Sequence, residues 1–131
     1  VTRDGVIVAK MAPGPWEFLV GAHIDPVFGP VVIVGEGGKY VEALKNYAIL
    51  LPPFDADDVM RALLGLRGAK IWQGFRGEPA ADLPALCETA CRVADLMLRS
   101  QGGISSLDLN PVSVGPAGTG AWALDALVQR A

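Results

Sequence analysis

Cysteine and histidine are scarce in this chain: Cys87, Cys91 and His23 are all it has in 131 residues. That scarcity excludes a thiolate or mixed Cys/His zinc site, which takes about four such ligands. The i,i+4 spacing puts both cysteines on one helical face, where a disulfide has poor geometry, so they read as small core residues. Long hydrophobic runs are also missing. Gly, Pro or a charge interrupts each one before it nears the roughly eighteen residues of a membrane span. Near the N-terminus only a short apolar run, residues 6–8, separates Arg3 and Asp4 from Lys10, which is too little for a signal peptide, so the expected setting is cytoplasmic. Positive charge is in deficit, with 11 Lys and Arg against 14 Asp and Glu for a net charge of -3. The cations are scattered rather than striped, which argues against a nucleic-acid surface.

At 51% hydrophobic, the chain has enough apolar material to bury one core, and residues 1–131 are expected to form a single domain. Residues 6–11 are rich in β-formers and stop at Ala12-Pro13-Gly14-Pro15, where two prolines end pairing and a glycine permits a sharp turn. Strand character resumes over residues 16–22. Asp25-Pro26-Val27-Phe28-Gly29-Pro30 then supplies turn chemistry before residues 31–34, so an antiparallel hairpin is expected. Residues 41–51, closed by Pro52-Pro53, read as a third strand. Helical spacing begins after Asp55 or Asp57, either of which can cap an amphipathic helix ending at Gly65 or Gly68. Asp57, Asp58 and Arg61 belong to its solvated face. An irregular connector over residues 68–79 carries Trp72, Phe75 and Arg76. Asp82 then caps a longer helix to about Ser100, with Leu83, Leu86, Cys87, Ala90, Val93, Ala94, Met97 and Leu98 inward and Gln101-Gly102-Gly103 as the stop. The class is α+β, a mainly antiparallel β-sheet with two helices.

The strongest chemical signal comes last in the chain. Asn110, within Leu107-Asp108-Leu109-Asn110-Pro111-Val112, and Asp125, within Trp122-Ala123-Leu124-Asp125-Ala126-Leu127, each interrupt a strand-like apolar stretch. The turn-rich run of residues 115–120 lies between them, and a hairpin would bring them together. Oxygen-bearing side chains converging on half-buried strands lose hydration that a cation or a set of donors must replace. Hard oxygen ligands suit magnesium. Turn chemistry beside Pro111, or a satisfied sheet edge, accounts for the same residues without a metal.

In order and spacing, these blocks resemble a known family. The carrying segments are Val6-Ile7-Val8-Ala9-Lys10-Met11, Glu17-Phe18-Leu19-Val20-Gly21, Asp25-Pro26-Val27-Phe28-Gly29-Pro30, Gly35-Glu36-Gly37-Gly38-Lys39-Tyr40-Val41-Glu42, Gly74-Phe75-Arg76-Gly77 and Leu107-Asp108-Leu109-Asn110-Pro111-Val112. The chain resembles the C-terminal half of an ATP-grasp domain, that of the NDP-forming acyl-CoA synthetases (ADP-forming acetate–CoA ligases) related to the succinyl-CoA synthetase β subunit. The resemblance implies that backbone groups of Ala9, Lys10, Met11 and Ala12 hold adenine and that Glu17 accepts the ribose hydroxyls. It further implies that Asn110 and Asp125 bind the magnesium carried on ATP or ADP, with Asp108 a ligand or the partner of one. The implied reaction interconverts acyl-CoA, NDP and phosphate with acid, CoA and NTP, through acyl phosphate and a phosphohistidine. None of the implied catalytic residues falls in this chain, and His23 matches no phosphohistidine motif.

The resemblance also implies partners: a first ATP-grasp lobe, which would end about where Val1 begins, and a CoA-binding domain or subunit. Turnover by these 131 residues alone is therefore not expected. Lys10 and Asn46 stand where acidic residues are expected, and Ile24 where a basic one is. Gly35-Glu36-Gly37-Gly38 reads as a tight turn rather than a phosphate cradle, because an extended segment is expected after it. Two other function classes fit the residues: a regulatory synthetase-like module of a protein acyltransferase, and a freestanding metal-dependent hydrolase using Asp108, Asn110 and Asp125.

Overall fold

The computed structural model describes residues 4–12 and 14–131. Pro13 of the first turn, and Val1, Thr2 and Arg3 ahead of it, lie outside the described residues.

Alternation sets the sheet. In β1 (Trp16–Asp25), Phe18, Val20 and Ala22 point into the core while the residues between them face the other way. The expected hairpin forms with β2 (Gly29–Glu36), in antiparallel register from Phe18 opposite Glu36 to Asp25 opposite Gly29. Asp25 Oδ1 accepts the amides of Val27 (2.8 Å) and Phe28 (3.0 Å), closing the turn, and Gly29 takes a φ of 76° that a side chain resists. The other edge of β1 pairs with β4 (Ile104–Val114), also antiparallel. β3 (Tyr47–Leu50) extends the sheet beyond β2, whereas β5 (Ala121–Ala123) and β6 (Ala126–Arg130) both pair with β4. The fold is α+β with an antiparallel sheet, as the residue pattern indicates.

Helices cover one face of that sheet. Asp55 caps α2 (Ala56–Leu64) through a reciprocal capping box with Asp58, and the helix stops at Gly65. Arg61 pairs with Asp58 on the solvated side. Asp82 caps α4 (Leu83–Arg99), which buries Leu83, Leu86, Cys87, Ala90, Val93, Ala94 and Met97 against β1, β2 and β4. Leu98 is 46% exposed, contrary to expectation, because it lies one residue past Met97 and so about 100° around the helix from the core. Positive φ at Gln101 and Gly102 ends the helix where the sequence places its stop. Cys87 and Cys91 are free thiols on this helix, and burial pushes Cys87 up to about 11, so it stays protonated and inert.

Three segments differ from their sequence reading. Residues 6–11 form no strand: they are unpaired, with Val6, Ile7, Val8 and Met11 all about nine-tenths exposed. β-forming composition alone does not make a strand without a paired neighbour, and both edges of β1, the next strand in the chain, are taken by β2 and β4. Residues 41–51 split into α1 (Val41–Leu44), a left-handed Lys45 (φ 45°), and β3. Pairing of Gly35 with Tyr47 leaves the residues before Tyr47 to make the bend. Within the connector, α3 (Ala69–Trp72) forms and seats Trp72, 5% exposed, against Phe18 with ring centroids 4.9 Å apart. Four helices therefore stand among the described residues; α2 and α4 are the two expected, and α1 and α3 are single turns. No described helix is long and apolar enough to cross a membrane.

Candidate functional site

β4 carries Asp108 and Asn110 on the sheet face opposite α2 and α4. Leu107, Val112 and Val114 are core residues, and alternation turns Asp108 and Asn110 away from Leu107 and Leu109. The register with β5 and β6 runs on through the break between them: Val112 faces Ala123, Leu109 faces Ala126 and Asp108 faces Leu127. Asn110 consequently lies opposite Asp125, and its N–H donates to the Asp125 carbonyl at 3.3 Å. Directly opposed residues have Cβ atoms roughly 4.5–5.5 Å apart, and a diagonal neighbour such as Asp108 lies within about 7–8 Å. The hairpin expected from residues 115–120 has formed and has brought the pair together. Gly21 stands opposite Asp108 in β1, where a methyl group would rest in ordinary contact with Asp108 Oδ1, 3.6 Å away.

Electrostatics agree with that proximity. Although Asp108 is exposed as a residue, its carboxyl loses hydration against the sheet and feels the charge of Asp125, and in that order these push it above the ordinary value of 3.8. The folded chain thus holds this proton more tightly than the unfolded chain. The penalty is absent well below pH 3.8 and grows as pH rises through the raised value, so the sign is opposite to that of a salt-bridged carboxylate. Asp108→Asn is expected to be at least as stable as the parent at pH 7, with that gain vanishing near pH 3. Urea unfolding at the two pH values checks this, and a loss at pH 7 that disappears in acid would contradict it.

Two carboxylates and an amide oxygen form a hard donor set that fits magnesium. Among the described residues no group of three His, Cys, Asp or Glu comes together, so a cation here depends on the Asn110 amide as well as the acids. Asn110 Oδ1 already accepts the Gly38 amide at 3.0 Å, which orients it and leaves its second lone pair free. That bond corrects the reading of Gly35-Glu36-Gly37-Gly38. Gly35 and Glu36 end β2 and the turn begins at Gly37, whose N–H donates to Glu17 O at 3.0 Å; through Gly38 the turn also borders the oxygen-rich pair. A short helix, not an extended segment, follows it. A Cβ on Gly37 would collide with the Phe18 backbone, and Gly38 has φ of 86°, so both positions call for glycine. Sequence reasoning lacked the means to see this, because the 72-residue separation of Gly38 and Asn110 hides the contact.

Beside the pair lies a cleft of about 600 Å³ lined by Glu17, Gly37, Gly38, Lys39, Tyr40, Asn110 and Pro111. Glu17 and Gly37 also line a neighbouring cleft of about 520 Å³ that reaches Glu36, Asn46, Arg67 and Trp72. Glu17, Asn110 and the glycine loop are thus brought together. Ala9, Lys10 and Met11 are exposed, Ala12 is half-buried, and none of the four lines either cleft. His23 is exposed on β1, paired with Val31 and Ser106. The unexpected Asn46 has a local cause. Buried to 8% exposure, it donates to Glu36 Oε2 at 3.1 Å and accepts the Arg67 amide at 3.3 Å, whereas an acid there would face a second carboxylate.

Proteins of known sequence and structure are similar to this chain. A trans-feruloyl-CoA synthase from an unknown prokaryotic organism is 44% identical over 98% of this chain and 18% of its own length. The β subunit of acetate–CoA ligase (ADP-forming) II of Pyrococcus furiosus is 33% identical over 95% of this chain and 52% of its own. The chain thus spans about half of that subunit and under a fifth of the synthase. A crystallised dinucleotide-forming acetyl-coenzyme A synthetase 1 from Candidatus Korarchaeum cryptofilum, in complex with coenzyme A and Mg-AMPPCP, superposes with a TM-score of 0.84 at 29% identity, over 92% of this chain and 55% of that one. The ATP-grasp domain family model matches residues 1–129. With the fold shared over 92% of its length and the family match covering residues 1–129, this chain belongs to the ATP-grasp domain family.

Proposed function

We propose that this chain is the nucleotide- and magnesium-binding second lobe of an NDP-forming acyl-CoA synthetase, which interconverts acyl-CoA, ADP and phosphate with acid, CoA and ATP. The observation that carries the reading is the opposition of Asn110 and Asp125, with Asp108 beside them and a cleft bounded by Glu17 and Gly38 alongside. It is supported by relatives that are ADP-forming acetate–CoA ligases and by a structural neighbour that holds Mg-AMPPCP.

The roles follow from the chemistry of each group. Asp108, Asn110 and Asp125 hold the cation, which when bound neutralises charge on the nucleotide's phosphates. Asn110 also fixes the glycine loop through Gly38, so the cation site and one wall of the cleft share an anchor. Glu17 accepts the ribose hydroxyls, and the backbone of residues 9–12 meets the adenine edge. Those residues are unpaired here, so the adenine contact needs a companion lobe to order them. That lobe, and a CoA-binding domain or subunit, are the partners this reading requires. The acyltransferase-module and hydrolase readings have no observation of their own in their favour.

Calorimetric titration of the 131 residues with Mg-AMPPCP is expected to give no binding at micromolar nucleotide, because half the contact surface of a two-lobed site is missing. The chain together with its companion lobe is expected to bind it. Micromolar affinity in the 131-residue chain would overturn the two-lobe requirement. Failure of the chain with its companion lobe to bind any magnesium nucleotide would overturn the function.

A further inference from the structure

Asp82 does more than cap α4. It is 7% exposed, and its Oδ1 accepts the Ala85 amide at 3.3 Å, the bond a helix cap needs. Its Oδ2 accepts the Gly120 amide at 2.8 Å, and its own N–H donates to the Gly115 carbonyl at 2.8 Å. Gly115 and Gly120 are the two ends of the β4–β5 connection, joined to each other by Gly115 N–H to Gly120 O at 3.1 Å. One buried residue therefore grips both stems of the hairpin that ends in Asp125. Ala117 N–H to Ala80 O at 2.9 Å holds the loop against the same segment.

The hairpin needs such a grip. β5 has only three residues, and beyond it Leu124 N–H to Pro111 O (3.0 Å) and Asn110 N–H to Asp125 O (3.3 Å) carry the pairing onward. Short, half-exposed strands specify register weakly, and a slip of one residue would turn the Asp125 side chain to the opposite face. We propose that Asp82 is a positioning residue: by fixing both ends of the connection it sets the register in which Asp125 stands opposite Asn110. The consequence for cation binding rests on the function proposed above; the consequence for register does not.

The test compares two cap variants of the 131-residue chain by NMR. Asp82→Ser keeps a capping oxygen for α4 but cannot span to Gly120, while Asp55→Ala removes a cap that has no hairpin contact. Asp82→Ser is expected to speed hydrogen exchange at the Asn110 and Leu124 amides about tenfold relative to the amides of β1, as local opening does. It should also weaken the broadening of Asp108 and Asn110 resonances by millimolar Mn²⁺. Asp55→Ala should do neither. If exchange at Asn110 stays in step with β1, or if Asp55→Ala reproduces the selective effect, the proposal falls. Selective exchange with unchanged Mn²⁺ broadening would overturn the link to the cation. Absence of broadening in the parent would overturn the cation site itself and leave exchange to decide the clamp. Should Asp82→Ser fail to fold, Asp82→Asn, which keeps the shape and one acceptor, is read in the same way.

Discussion

On the proposed function, replacing Asp125 by Ala in the chain joined by its companion lobe and CoA-binding domain or subunit is expected to cut turnover by at least ~100-fold, the scale of losing one preorganised group at a site of changing phosphate charge. Stability should scarcely change. Asp125 is exposed, and what ties its segment to β4 is its backbone carbonyl, which accepts from Asn110 and survives the substitution. A second readout comes from Asp108. Its carboxyl is raised first by lost hydration and then by the charge of Asp125, so the variant should bring it part of the way back toward 3.8 while the hydration part persists. Steady-state kinetics across a magnesium series, with a carboxyl NMR titration of the 131-residue chain, measure both. Turnover within threefold of the parent at every magnesium concentration would remove Asp125 from the site.

Phe18→Ala is expected to be the most damaging single substitution for the fold. Phe18 is fully buried on the central strand, flanked by β2 and β4, and its ring packs 4.9 Å from that of Trp72. Truncating a buried Phe to Ala costs roughly 3–5 kcal/mol in lost burial and residual cavity. A domain of this size has about 5–15 kcal/mol in all. The midpoint of thermal unfolding should fall by about 10–20 °C. Far-UV circular dichroism on heating, with urea titration for the free energy, provides the measurement; a loss under about 1 kcal/mol would mean that β1 and α3 do not pack as described.

Much of this was legible in the residues because the signals were local. The Asp25 to Pro30 turn, the Asp55 and Asp82 caps, the buried stripe of α4 and the Gly102 stop all follow from side chains within a few positions of one another. The Asn110 and Asp125 hairpin was legible for a related reason. Both residues break apolar strands, and a glycine-rich run of loop length joins those strands.

What escaped the residue reading depends on distant partners. Residues 6–11 have strand composition but pair with no strand, and residues 41–44 bend into a helical turn to let Tyr47 meet Gly35. Nothing near Trp72 in sequence announces that it seals the core against Phe18, 54 positions earlier. Nor does the glycine loop announce that its Gly38 amide orients Asn110. The same holds for Asn46, whose substitution for an acid makes sense only once Glu36 is seen to face it.

The amino-acid sequence by itself determined the α+β class, the caps of the two long helices, the two hairpins and the placing of Asn110 opposite Asp125, since each rests on periodicity, capping or turn chemistry over a short span. Only the tertiary structure decided which groups stand around Asn110 and Asp125. Packing across the sheet brought the Gly37-Gly38 loop and Glu17 up to Asn110 and anchored the Asp125 hairpin on Asp82. The reason is physical: those contacts join segments tens of residues apart, and their geometry exists only after the shared core has closed.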